Sequence, residues 1–223
     1  MKNAKRCRSD GFTLIEILVA LAIFGLVVAA IYSGWIAILR ASKTGLEAAA
    51  QAQRERVAIR TIEEALTASR SFAADLQHYG FVGENGSEAK LSFVARLPKS
   101  FPRSGKFGDF DVRRLTFSVE DGSDGGRQLV LRQSTLLIDM DSDEKEHPLV
   151  LAKNVDKFEL GFWDRRKGVW VDTWTDNFTN QLPPLVKVTL TLLDHPHSIK
   201  AAEEIVRIIS VPSVTVAPTC FAT

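Results

Sequence analysis

Cysteine is scarce: the 223 residues hold two, Cys7 and Cys220, near opposite ends. Two such thiols make no disulfide framework, and their spacing fits no zinc pattern. Charge of one sign is also lacking, with 28 basic against 27 acidic residues and a formal net charge of +1. No broad basic footprint for nucleic acid is present, and no nucleic-acid partner is expected. The chain has no glycine-rich phosphate loop, no internal repeat and no low-complexity linker. Neither His78 nor His147 stands beside a recognisable nucleophile, and His195-Pro196-His197 lacks the cysteine or carboxylate spacing of a metal site. The two Asn-x-Ser/Thr matches, at Asn85 and Asn177, are short enough to be chance. With no catalytic set, the reading is non-enzymatic and no cofactor is assigned.

What is present begins at the N-terminus. Residues 1–10 hold Lys2, Lys5, Arg6 and Arg8 against Asp10, and from Phe12 to Leu39 the only charge is Glu16. A run of about 28 residues makes a helix of roughly 42 Å at about 1.5 Å per residue. That exceeds a bilayer core of about 30 Å, so the run can span. The basic flank puts residues 1–11 on the cytoplasmic side and the rest outside. A secretory signal peptide has a shorter apolar region ending in a small-residue cleavage site, and this run instead continues into helix-forming sequence. A plain membrane anchor accounts for everything except Glu16. A carboxylate in an apolar span costs about 2.5–3.5 kcal/mol at mid-bilayer and less near the interface, so it calls for a partner.

The stretch "GFTLIE", Gly11 to Glu16, resembles the cleavage site of type IV prepilins and pseudopilins. The resemblance implies that a prepilin peptidase cuts after Gly11 on the cytoplasmic side and methylates the new N-terminus at Phe12. Glu16 occupies the place of the family glutamate. In a stack of staggered helices, Glu16 of one subunit meets the Phe12 ammonium of its neighbour. The wrong axial register leaves that carboxylate unpaired, so the pair sets registration. Loss of the leader removes four basic residues and one acidic one, so mature side chains total −2, and only Cys220 remains.

Beyond the apolar run, Arg40 to Gln77 contains no proline. Leu46, Ala50, Gln53, Val57, Ile62, Leu66, Ala73 and Leu76 recur every three to four residues and predict one apolar helix face. Arg54, Arg56 and Arg60, among glutamates, read as a solvated face. Gly45 marks an expected bend near Ser42–Gly45. After about residue 80 the period changes to two. "KLSFVARL", "RRLTFSVE", "RQLVLRQSTLLI", "LVLAKNVDKFELGFWD", "PLVKVTLTLL" and "EEIVRIISV" predict antiparallel strands separated by turns such as "DGSDGG" at 121–126. The expected fold is α+β and pilin-like, a long N-terminal helix packed on antiparallel sheets. Its parts are a leader at 1–11, a transmembrane and assembly helix at 12–39, an amphipathic helix at 40–79 and a periplasmic β domain at 80–223.

The segment Phe158 to Leu192 resembles the J-type minor pseudopilin of type II secretion systems. The resemblance rests on Phe162-Trp163-Asp164, Trp170 and Trp174, Leu182-Pro183, and Val186-Lys187-Val188-Thr189-Leu190. It implies a subunit of the tip complex that starts a periplasmic pseudopilus and supports protein export, anchored in inner-membrane lipid. The implied partners are other pseudopilins, above all the I-type and K-type minor subunits. The alternatives are a minor pilin of a type IV pilus or DNA-uptake system, or a plain anchored binding domain. At least two of Trp163, Trp170 and Trp174 are expected in a core cluster against the helix. Asp139, Asp141 and Asp143 alternate and form a candidate calcium loop. The loop fails the EF-hand pattern, with Glu144 at the sixth position and Val150 at the twelfth, so a solvated hairpin tip is the expectation.

Overall fold

The computed structural model describes residues 13–72, 75–86, 89–122, 125–175, 182–193 and 204–212. Expectations placed on Gly11, Phe12, Asn177, His195, His197, Cys7 and Cys220 lie outside them. The contacts divide the chain into two units, one ending at Ala50 and one beginning at Gln51.

Helix α1 runs from Leu14 to Thr67, 54 residues. It passes through Ser42–Gly45 without the expected break. One glycine costs about 1 kcal/mol relative to alanine in a helix, too little to interrupt a long run of strong helix formers. The helix stops at Thr67, well short of residue 79. Thr67 Oγ1 donates to the carbonyls of Glu63 at 2.9 Å and Glu64 at 3.0 Å. The chain is then captured by a strand: Arg70 N donates to Val94 O at 2.8 Å and Arg96 N to Ala68 O at 3.0 Å. Pairing with a sheet replaces the helical bonds that would have continued the run. A four-residue helix α2, Leu76–Tyr79, follows and is capped by the Asp75 carboxylate.

The strands are β1 Val82–Glu84, β2 Lys90–Arg96, β3 Val112–Asp121, β4 Arg127–Thr135, β5 Leu149–Lys153, β6 Val155–Asp164, β7 Val169–Val171, β8 Thr173–Trp174, β9 Leu185–Leu192 and β10 Glu204–Ser210. A short helix α3, Ser142–Glu146, lies between β4 and β5. They make a six-stranded sheet, β5-β4-β3-β2-β1-β8, and a four-stranded sheet, β10-β9-β6-β7. The recorded strand pairings are antiparallel. In the β3–β4 hairpin Gly122 N donates to Gly126 O at 2.8 Å, and Gly125 takes φ +76° at the expected turn.

Alternation sets the faces. Leu115, Phe117 and Val119 of β3 point into the core, opposite Leu91 and Phe93 of β2 and Leu129 and Leu131 of β4. From β6 and β9 come Phe158, Leu160, Phe162, Val186, Val188 and Leu190, and from α1 come Ala58, Ile59, Ile62, Ala65 and Leu66. All belong to one buried cluster. The helix face differs by about one position from the expected stripe. Ile62 and Leu66 are buried, but Leu46 and Val57 are exposed, and Glu55 is buried rather than solvated.

The two sheets are joined at β1. The Asn85 side-chain amide donates to Leu160 O, and its Oδ1 accepts from Leu160 N at 2.7 Å, so one side chain stands in for a strand residue. Beside it, Gly83 lies against the ring of Phe162. An added Cβ would sit 2.0 Å from Phe162 Cζ, so only glycine permits this approach.

Candidate functional site

The first candidate is the start of α1. Glu16 Oε2 accepts from Thr13 N and from Thr13 Oγ1, both at 3.1 Å, while Glu16 N points back to Thr13 Oγ1 at 3.4 Å. Thr13-Leu14-Ile15-Glu16 is therefore a capping box, satisfying otherwise orphaned backbone donors at a helix start. Thr13 has a role that the sequence reading missed, although the signal was present as threonine followed three residues later by glutamate. Within one chain the Glu16 carboxylate already has neutral donors. From Leu14 to Leu39 the large apolar side chains are exposed, including Leu21, Phe24, Ile31 and Trp35, except for the half-buried Ile36. The segment Leu14–Lys43 is long and apolar enough to cross a membrane.

The second candidate surface is on the unit beginning at Gln51. Val57, Arg54, Arg56 and Arg60 are exposed on α1. A groove of about 860 Å³ runs between α1 and β10, with Arg56, Ile59 and Glu63 on one wall and Glu204, Val206 and Arg207 on the other. Among the described residues β10 pairs only with β9, at the edge of its sheet. Its Val206 and Ile208 side chains are exposed.

The aspartates do not form the expected hairpin tip. Asp141 is the N-cap of α3, its carboxylate accepting from Asp143 N. Asp143 is bonded to Lys106 Nζ, which holds its carboxyl below the usual range. Among the described residues no group of three His, Cys, Asp or Glu side chains is placed to hold a metal ion. The tryptophans also depart from expectation. Only Trp174 is in the core, 6.3 Å from the Phe162 ring. Trp163 and Trp170 meet each other at 5.4 Å, with Lys187 Nζ 5.4 Å from the Trp170 ring. They pair across β6 and β7 on the face that carries Lys187 and Gly161, opposite in sense to the buried Phe162, which explains why they miss the core. Asn85, which sequence alone left as a chance glycosylation match, is the bridge between sheets.

These features are an apolar, exposed N-terminal helix and a domain of two antiparallel sheets. Comparison with known families agrees. The prokaryotic N-terminal methylation motif matches residues 6–32. The family described as type II secretion system (T2SS), protein J, matches residues 35–198, most of the chain. The chain thus belongs to the J-protein family of type II secretion, a membrane-anchored minor pseudopilin that assembles with other pseudopilins.

Proposed function

We propose that this pseudopilin belongs to the tip complex that initiates the pseudopilus and supports protein export across the outer membrane. A prepilin peptidase removes residues 1–11 and methylates Phe12. The mature chain sits in the inner membrane with its N-terminus cytoplasmic and its sheets in the periplasm. Glu16 then meets the Phe12 ammonium of a neighbouring subunit. A charge-assisted hydrogen bond is roughly twice as strong as a neutral one, so the ammonium displaces Thr13 as the main partner of that carboxylate. The I-type and K-type minor subunits lie beside α1.

The observation that carries this reading is the uncovered face of α1. Its large apolar side chains from Leu14 to Leu39, Ile36 apart, are exposed, and Val57 remains 48% exposed. A helix with an open apolar edge invites another along it.

The test mixes the purified fragment from Lys43 to Thr223 with the I-type and K-type domains and follows size-exclusion chromatography with light scattering. The expected result is a monomer alone, a one-to-one complex with the I-type domain and a tighter ternary complex with both. Self-association into long polymers that ignore both partners would make it a major-type subunit instead. The intact mass of the membrane-extracted protein checks processing. A mass that still includes residues 1–11 would remove both the Phe12 ammonium and the proposed registration.

A further inference from the structure

The hairpin of β6 and β7 closes through Asp164-Arg165-Arg166-Lys167-Gly168, a turn that the assembly reading does not use. Asp164 Oδ1 accepts from Arg166 N at 2.8 Å and from Lys167 N at 3.3 Å, and Gly168 N donates to Asp164 O at 2.8 Å. An aspartate that bonds the backbone just ahead of it fixes such a turn. Asp164 is 6% exposed, whereas Arg165, Arg166 and Lys167 are exposed. The carboxylate is taken up inside the turn and three cations stand outside it. The guanidinium groups of Arg165 and Arg166 have no ion pair or hydrogen bond among the described residues.

Behind the turn lies a flat aromatic surface. Trp163 and Trp170 stand opposite each other across β6 and β7, with ring centroids 5.4 Å apart and planes at 65°. Gly161 makes room for one of them. A Cβ there would lie 3.4 Å from Trp170 Cε3 and 3.1 Å from Lys187 Cε, so the indole and the lysine stem rest on its backbone. The Lys187 ammonium stays 5.4 Å from the Trp170 ring. Trp170 is 36% exposed and Trp163 is half-buried. Asp172, two residues beyond Trp170, is exposed and sets one negative charge against these cations.

Cations at one end and indoles behind them fit a ligand with the same layout in opposite charge. An anionic bilayer fits less well. The turn Arg165–Gly168 offers no apolar residue to enter lipid, and the Trp170 indole lies along the sheet instead of projecting from it. Tryptophan and arginine are also the residues that most often anchor protein–protein contacts. We propose that this hairpin docks an acidic segment of a partner protein, with carboxylates on Arg165 and Arg166 and adjoining aliphatic side chains on Trp163 and Trp170. The contact is separate from the neighbours proposed along α1.

The experiment uses the full chain in phosphatidylcholine nanodiscs with labelled tryptophan indoles. The probes are acetyl-Glu-Glu-Leu-Leu-amide, acetyl-Gln-Gln-Leu-Leu-amide and acetyl-Glu-Glu-Ser-Ser-amide. The first peptide is expected to shift the Trp163 and Trp170 signals and to saturate in the millimolar range, while Trp174 in the core stays still. The other two are expected to bind several-fold more weakly. Replacing both arginines, Arg165→Gln with Arg166→Gln, is expected to weaken the first peptide roughly fivefold to tenfold, the size of two exposed ion pairs. Asp172→Asn is expected to tighten it, and raised salt to weaken it. Trp170→Ala is expected to weaken the first peptide and leave the serine peptide unchanged. Equal titration by the glutamine peptide would overturn the proposal in favour of an apolar patch only. Equal titration by the serine peptide would overturn it in favour of an unselective cationic tip. Movement of the same indoles when phosphatidylglycerol is added to the disc, without peptide, would overturn it in favour of lipid. No shift with any peptide, or no effect of the arginine substitutions, would also overturn it.

Discussion

The two parts of α1 follow opposite rules. From Leu14 to Leu39 the helix is apolar all round apart from Glu16, and its large side chains are exposed apart from Ile36, as a span in lipid requires. From Glu55 to Leu66 one side is buried, Glu55, Ala58, Ile59, Thr61, Ile62, Ala65 and Leu66, with exposed arginines at 54, 56 and 60. Secondary structure is common to both parts, so it distinguishes nothing. The difference lies in what each part is dissolved in: lipid and other helices for the first, its own sheets for the second. A substitution should therefore change fold stability only where the chain supplies its own surroundings.

Phe162→Ala in the sheets and Phe24→Ala in the apolar run test that contrast most strongly. Phe162 is fully buried against Phe81 and Trp174, so truncation should cost about 3–5 kcal/mol. Phe24→Ala should leave the unfolding of the second unit within about 0.5 kcal/mol of the parent. Chemical denaturation of the full chain in micelles reads both, and equal effects would break the comparison.

Gly83→Ala comes next. Its new methyl would overlap the Phe162 ring, and overpacking of this kind costs about 1–3 kcal/mol. The pair Gly83→Ala, Phe162→Leu should lose less than the sum of the single changes, because both act at one contact. Strict additivity in the double-mutant cycle would contradict the contact.

In the lipid-facing part, Thr13→Ala removes the hydroxyl half of the capping box. It should cost about 0.5–2 kcal/mol of local helix stability without moving the denaturation midpoint of the sheets. Faster amide exchange confined to the first turn of α1 is the expected signature. A shift in the midpoint would mean that the two parts share one folding transition.

The smallest effect is that of acid on the second unit. Hydrogen bonds from Arg132 hold the Glu120 carboxyl below its ordinary value of 4.5, and Arg96 and Lys106 do the same for Asp111 and Asp143. A depressed carboxylate stabilises the fold above its unfolded value and loses that contribution as pH falls through the folded one. Melting temperature should therefore be level at neutral pH and decline below about 4.5, with Glu120→Gln flattening part of the decline. A rise in stability on acidification would reverse the assigned sign.

Much of this arrangement was legible in the sequence. The apolar run and the alternation of "RRLTFSVE" each expose one dominant period, and both elements are present. The buried stripe of α1 was misplaced because alanine gives little contrast in a hydrophobic pattern. Ala58 and Ala65 are buried, whereas the larger Leu46 and Val57, which dominated the reading, are not. The end of α1 was set by pairing with β2, a long-range contact that local periodicity does not contain. At the candidate site, Glu16 stood out because one charge interrupts an apolar run. Thr13 did not, because its role is a reciprocal bond rather than a composition anomaly. At least two of Trp163, Trp170 and Trp174 were expected in the core on size alone, but only Trp174 is there, because strand parity sends Trp163 and Trp170 to the other face.

The position of β1 has a consequence for timing. β1 is among the first strands made, yet its partner β8 is Thr173–Trp174, and Asn85 waits for the backbone of Leu160. A chain still being synthesised cannot close that side of the six-stranded sheet until its last third has emerged. Contacts so distant in sequence also bear the full entropy of closing a long loop, which slows folding. During that interval the strand edge at Val82–Glu84 and the buried face of α1 lack their covers, so the emerging domain passes through its most adhesive state just before its later strands arrive.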